Sequence, residues 1–184
     1  MQEPELSILM LAYNSGDYIG QSVRSLLDQT YKDFELIIVD DNSTDETAEI
    51  INSFDDLRIK YMANRENKGV AYCRNKALKM AKGNFVSFFD SDDLAHPDKY
   101  QKQIGFLKGN NKYGFAGTSV ILIDNNNYET GRWKLDSPYE KILLKMIFNN
   151  YFVNSAVVFY KDLVKDFKFP DDLLLCFLYC HLAL

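Results

Sequence analysis

The stretch FVSFFDSDDLAHP (85–97) places Asp90, Asp92 and Asp93 within four positions, directly after a nearly apolar run. Carboxylates crowded at a strand end repel one another, and either an open turn or a divalent cation relieves them. Spaced aspartates offer hard oxygen ligands to Mg²⁺ or Mn²⁺, which keep coordination positions open for phosphate oxygens. Such an ion would stabilise negative charge on a departing diphosphate. The plainer alternative is a solvated turn that caps a helix starting near Pro97.

Three further motifs carry polar groups of interest. In VDDNSTDET (39–47), Ser43 and Asp45 suit a turn and helix cap, which leaves Asp40 and Asp41 unaccounted for. A carboxylate at the end of a strand can accept a hydrogen bond from a nucleobase N–H or a ribose hydroxyl. In LAYN (11–14), Tyr13 is either core or a ring laid against a planar base. In NKGVAYCRN (67–75), Gly69 opens a helix, and helix N-termini favour phosphate. Lys68 adds positive charge there, although Lys68 as a surface residue and Arg74 as an ion-pair partner are equally simple readings.

The rest of the chain reads as the frame that positions these motifs. LSILMLAYN (6–14) and FELIIVDD (34–41) are continuous apolar runs ending in polar residues, the pattern of strands buried on both faces. GQSVRSLLDQ (20–29) spaces Val23, Leu26 and Leu27 as a helical stripe. STDETAEIINSF opens with Ser43 and carries Glu46 three residues on, a capping-box pattern. RIKYMAN (58–64) predicts a short strand, and NFVSFF (84–89) another. Between them KGVAYCRNKALKMAKG (68–83) predicts a helix with Ala71, Leu78 and Ala81 inward, stopped by Gly83. Strands alternating with helices imply a parallel sheet covered on both faces, with ligands outside the carboxyl ends of the strands. Beyond Pro97 the sequence predicts a helix over 97–109, one strand over 113–124, a polar loop leading to Trp133, an amphipathic helix over 137–150 and a last strand over 154–161 that Asn154 opens.

Length and charge narrow the function classes. A chain of 184 residues without repeats or linkers is expected to be one domain, 1–184. A net charge of −5 argues against a nucleic-acid partner, which requires a basic face. Three cysteines are too few for a disulfide framework, which favours a reducing cytosol, and Cys176 and Cys180 with one adjacent histidine do not make a zinc site. MQEPELSILML lacks a basic region and a cleavage site, and no apolar run reaches the roughly 20 residues of a membrane span.

Taken in order, AYN, SLLDQTYKDFELIIVDDNSTDET, NKGVAYCRNKAL and FFDSDDLAHPDK resemble the family-2 inverting glycosyltransferases, closely over residues 6–100 and loosely over 110–165. The resemblance implies an α/β fold of GT-A type with a mostly parallel, Rossmann-like sheet. A nucleotide-sugar-binding half would span 6–93 and a partial acceptor half 94–184. It implies that Ala12 and Tyr13 line the nucleobase pocket and that Asp41 pairs with the base edge. Lys68, Gly69 and Arg74 would lie near the diphosphate or the sugar. Asp90-Ser91-Asp92 matches the family's DXD motif, with Asp92 the direct ligand of Mn²⁺ or Mg²⁺ and Asp90 beside the ribose or at the metal through water.

The function so implied moves a sugar from a nucleoside diphosphate, UDP by default, to a hydroxyl of a glycan or lipid-linked acceptor with inversion. The setting implied is bacterial surface-polysaccharide or lipid-linked glycan synthesis, in the cytoplasm at the inner membrane face, with a peripheral membrane contact. The family's catalytic carboxylate belongs to a later Glu-Asp motif. Here Pro170-Asp171-Asp172 is followed by 12 almost wholly apolar residues, so the expectation is a shortened acceptor part with no assigned catalytic base. A nucleotide-sugar-binding domain without catalysis is the alternative. Nucleotidyl transfer would need a Gly-rich loop after the first strand, and a receiver domain would place its acids after strands one and three.

Overall fold

The computed structural model of the chain describes residues 3–134, 153–166 and 168–170. The helix expected over 137–150, Asp171, Asp172, Cys176, Cys180 and the apolar stretch 173–184 lie outside the described residues. In chain order the elements are β1 (Leu6–Ala12), α1 (Gly16–Leu27), β2 (Phe34–Asp40), α2 (Thr47–Asn52), β3 (Ile59–Ala63), α3 (Val70–Met80), β4 (Phe85–Asp90) and α4 (Lys99–Gly109). There follow β5 (Phe115–Gly117), β6 (Val120–Ile123), β7 (Glu129–Trp133) and β8 (Val157–Tyr160), the last preceded by a 3₁₀ turn at Asn154–Ala156.

The main sheet has the order β3-β2-β1-β4-β8-β5. Its first four strands are parallel, whereas β8 runs antiparallel to both β4 and β5. The chain therefore winds outward from β1 to β3 and then crosses back to place β4 on the other side of β1. A switch point of this kind opens a crevice at the carboxyl ends of β1 and β4.

Alternation along the strands builds two cores. Leu6, Ile8 and Met10 of β1, with Leu36 and Ile38 of β2, face α1, α2 and α4 through Ile19, Val23, Leu26, Ile51, Ile104 and Leu107. Leu9, Ile37, Val39 and Val86 point the other way and pack on Cys73, Ala77 and Leu78 of α3. Because both faces are covered, β2 is buried along its whole length, and its sequence is apolar at consecutive positions.

Several local expectations are corrected. Gly83 does not end α3 as a left-handed cap, since Gly69 is the glycine with positive φ among the described residues. A Cβ at Gly83 would lie 2.6 Å from the Ser7 nitrogen, so the glycine is there to let the chain pass over the start of β1. The single strand expected over 113–124 is two strands, β5 in the main sheet and β6 in a separate hairpin with β7. The polar loop before Trp133 is thus largely strand, with Val120 paired to Trp133 and Ile121 to Arg132. Asn154 opens a 3₁₀ turn rather than the strand itself.

Candidate functional site

Strand register brings the motif ends to one level of the sheet. Ala12 stands opposite Asp40, Leu11 opposite Asp90, and Asp40 opposite Ala63. The polar residues that follow β1, β2 and β4 therefore meet along one edge.

The loop after β1 is cross-tied to the loop after β2. Asn14 and Asn42 both adopt left-handed backbone, with φ of 48° and 67°, as asparagine tolerates. The Asn14 amide donates to Ser43 Oγ at 2.9 Å, while the Thr44 amide donates to Asn14 Oδ1 at 2.9 Å. The Ser15 amide donates to Thr47 Oγ1 at 2.8 Å, and the Gly16 amide to Asp45 Oδ2 at 2.9 Å. The expected capping box is consequently absent. Ser43 Oγ donates to Asp40 Oδ1 at 2.6 Å instead of reaching into the helix, and α2 starts only at Thr47. Competition from a tertiary loop contact removes the local cap. Ala12 is buried beneath this loop, and Tyr13 is 53% exposed on it, so its ring is not core.

Two neighbouring carboxylates at the end of β2 are held by the protein. Asp40 accepts from Ser43 and, through Oδ2, from the Tyr61 hydroxyl at 2.8 Å. Asp41 Oδ1 accepts from Asn64 Nδ2 at 2.7 Å and the Lys68 amide at 2.8 Å, and Oδ2 from the Gly69 amide at 2.7 Å. Burial pushes the Asp41 carboxyl up, but the Lys68 amide, Asn64 and the Gly69 amide outweigh it and hold the group below the usual carboxylate range. Asp41 thus fixes the turn that enters α3. Gly69 takes φ +83° there with open space on its Cβ side, so glycine is required by the backbone conformation alone. The Lys68 ammonium is solvent-exposed and pairs with Glu66.

The third cluster, at the end of β4, has the opposite electrostatics. Asp90 and Asp93 are half-buried, and Asp92 is exposed. Burial, then Asp93, raise the Asp90 carboxyl, with Arg74 opposing and Asp92 adding to the rise. Burial likewise raises Asp93, with Asp92 adding and Ser155 and Lys99 opposing. The Asp90 amide donates to Ser155 Oγ at 2.9 Å, and Ser91 Oγ shares a 2.8 Å hydrogen bond with Ser15 Oγ. None of the three carboxylates caps α4, which begins at Lys99 after Asp98. Nor, among the described residues, is Arg74 in an ion pair: its guanidinium lies over the Phe88 and Phe169 rings at 5.6 and 5.4 Å.

Among the described residues no three His, Cys, Asp or Glu side chains converge as a ready-made metal cage. The donor set nonetheless fits a hard cation: carboxylates raised by burial and then by one another would be relieved by one, and Mg²⁺ or Mn²⁺ fills its remaining positions with phosphate and water oxygens. The fold brings Ala12, Tyr13, Asp41, Lys68, Gly69, Asp90, Ser91 and Asp92 to this edge, with Arg74 one turn into α3. Sequence reasoning missed Ser15, Asn64 and Ser155. Ser155 arrives from the turn that leads into β8, and no local pattern marks it.

Comparison with known proteins converges on one family. The family model described as glycosyl transferase family 2 matches residues 7–166. An Escherichia coli UDP-Glc:alpha-D-GlcNAc-diphosphoundecaprenol beta-1,3-glucosyltransferase, WfgD, is 37% identical over 170 residues, covering 92% of this chain and 66% of that protein. The structure of S. aureus TarS 1-349 in complex with UDP superimposes with a TM-score of 0.70 at 26% identity, covering 94% of this chain and 52% of that one. The Pyrobaculum calidifontis mannosyltransferase PcManGT, in complex with GDP-Man and Mn²⁺, shares the fold with a TM-score of 0.68 at 20% identity over 94% of this chain and 49% of that one. The chain spans between 50% and 68% of the length of the first curated relatives it matches. A mostly parallel sheet of GT-A type, flanked by helices and carrying the motifs of β1, β2 and β4 on one edge, identifies the chain as a member of glycosyl transferase family 2.

Proposed function

We propose that the chain binds a nucleoside-diphosphate sugar, UDP-linked by default, and transfers the sugar to an acceptor hydroxyl with inversion. The observation that carries this reading is the meeting, on one sheet edge, of an exposed Tyr13 ring, an ionised Asp41 and the raised Asp90–Asp93 cluster. Asp41 would meet the edge of the base, and the Tyr13 ring offers a face to its plane. Lys68, Gly69 and Arg74 border the diphosphate and sugar.

Asp92 would hold Mn²⁺ or Mg²⁺ directly, with Asp90 at the ribose or at the ion through water. When bound, the ion supplies charge stabilisation to the leaving diphosphate. In the displacement the acceptor oxygen forms a bond to the anomeric carbon as the bond to the diphosphate oxygen breaks. A general base takes the acceptor proton. The relatives support an acceptor in lipid-linked glycan or surface-polysaccharide synthesis, since the E. coli relative is named for a diphosphoundecaprenol substrate. Among the described residues no helix is long and apolar enough to cross a membrane. A cytoplasmic enzyme in peripheral contact with the inner membrane face is the setting we infer.

Thermal unfolding of the chain with UDP, GDP, dTDP or CDP, each with and without Mn²⁺, tests the donor half. A ligand at 100 times its Kd adds about 2.7 kcal/mol, a rise of several degrees. A Mn²⁺-dependent rise with one nucleotide is expected. A cooperative transition that none of the four nucleotides moves would sink the proposal.

A further inference from the structure

Asn75 and Phe169 lie 94 positions apart in sequence but are joined by two hydrogen bonds of opposite sense. Asn75 Nδ2 donates to the Phe169 carbonyl at 2.8 Å, and the Phe169 amide donates to Asn75 Oδ1 at 2.8 Å. One side-chain amide thus satisfies both backbone groups of a residue that belongs to no helix or strand. The clasp fixes where the Phe169 ring stands. That ring meets Phe88 edge-on at 5.5 Å. The Arg74 guanidinium lies over both rings, so one ring comes from β4, two residues before Asp90, and the other from the 168–170 segment.

Phe88 and Asp90 are alternate residues of β4 and share one face of the sheet, so a guanidinium over the Phe88 ring stands on the side of Asp90. A long arginine side chain has rotamer entropy to lose when it is fixed. Two ring contacts and a clasped segment remove much of that freedom beforehand. Adjacent residues of α3 thereby divide the work: Arg74 supplies charge, and Asn75 holds the ring that steadies it.

We propose that Asn75 is a positioning residue, which by clasping Phe169 completes the ring pair that fixes the Arg74 guanidinium beside Asp90 and makes residues 168–170 part of the donor-site wall. The link to the donor rests on the function proposed above.

The Arg74 Nε–H signal of the ¹⁵N-labelled chain reads the positioning without any ligand, because two nearby rings displace it from the exposed-arginine position. In Asn75→Ala, and separately in Phe169→Leu, that signal moves toward the exposed-arginine position. Mn²⁺-dependent UDP affinity, read by calorimetry, falls about tenfold in each. Combined with Arg74→Met, neither substitution weakens UDP further. An unmoved Arg74 signal in either folded variant overturns the proposal. A displaced signal with unchanged UDP affinity, or losses that add in full to that of Arg74→Met, overturns it equally. Should the parent chain take up none of UDP, GDP, dTDP and CDP with Mn²⁺, the donor reading fails on its own, while the Arg74 signal still decides whether Asn75 fixes the guanidinium.

Discussion

The ends of β2 and β4 both carry acids to the same edge of the sheet, and the protein treats them in opposite ways. Asp41 is surrounded by three N–H donors and held ionised. Asp90 and Asp93 are partly buried beside each other and beside Asp92, and their carboxyls are pushed up. The first carboxylate is completed by the fold. The second group is left short of positive charge, which is the condition a cation relieves. Stability is concentrated at the first and sacrificed at the second, as expected where a site departs from the locally best arrangement.

Substitution at the completed carboxylate should have the largest effect. Asp41→Ala leaves the Lys68 and Gly69 amides and the Asn64 amide without their acceptor, a loss of about 3 kcal/mol. Urea unfolding reads this directly, and a loss below about 1 kcal/mol would mean that Asp41 does not anchor the turn into α3.

The incomplete cluster should respond with the opposite sign. Asp90→Asn and Asp93→Asn are each expected to stabilise the ligand-free chain by about 1 kcal/mol at neutral pH. Asp90→Asn should also abolish the Mn²⁺-dependent nucleotide shift. The pH dependence separates the two regions. A carboxyl raised in the folded state costs nothing below its unfolded pKa, near 4, and costs most above its folded pKa, so the gain shrinks on acidification. The contribution of Asp41, whose carboxyl is depressed, is present above that unfolded pKa and lost as pH falls through its folded one. Melts at pH 8 and pH 4 in which the Asn variants keep the same advantage would refute the contrast.

A smaller effect is expected at Lys99, whose buried ammonium has no hydrogen-bond partner among the described residues and rests over the Tyr100 ring at 3.9 Å. Burial depresses it to about 7 against the opposing pull of Asp93. The unfolded chain then binds more protons between about pH 7 and the ordinary lysine value, so parent stability rises across that window. Lys99→Met should remove the rise and add about 0.5 kcal/mol at pH 7. A variant that keeps the pH slope would show that another group is responsible.

Legibility in the sequence followed burial. β1, β2 and β4 are apolar at consecutive positions because helices cover both faces, so their ends, and the acids on them, could be read directly. The β6–β7 hairpin could not. It stands apart from the main sheet with Ile121, Leu122, Tyr128 and Trp133 largely exposed, so neither strand alternates. Ser43 and Glu46 displayed a capping pattern that lost to a contact with Asn14, 29 residues away. Partners of each acid come from other elements: Asn64 for Asp41, Ser155 for Asp90 and Asp93. Local spacing carries no trace of such pairings.

The hydrogen bond between Ser15 and Ser91 ties the loop after β1 to the acidic turn after β4, and Asn14 ties that same loop to the one after β2. Three loops that would otherwise move separately are thereby ordered when the chain folds. On the function proposed above, a nucleotide entering between them would meet a surface whose backbone entropy has already been lost. The heat capacity should therefore fall on binding only by as much as the apolar area under the nucleotide requires, well short of the drop that accompanies a loop folding onto its ligand.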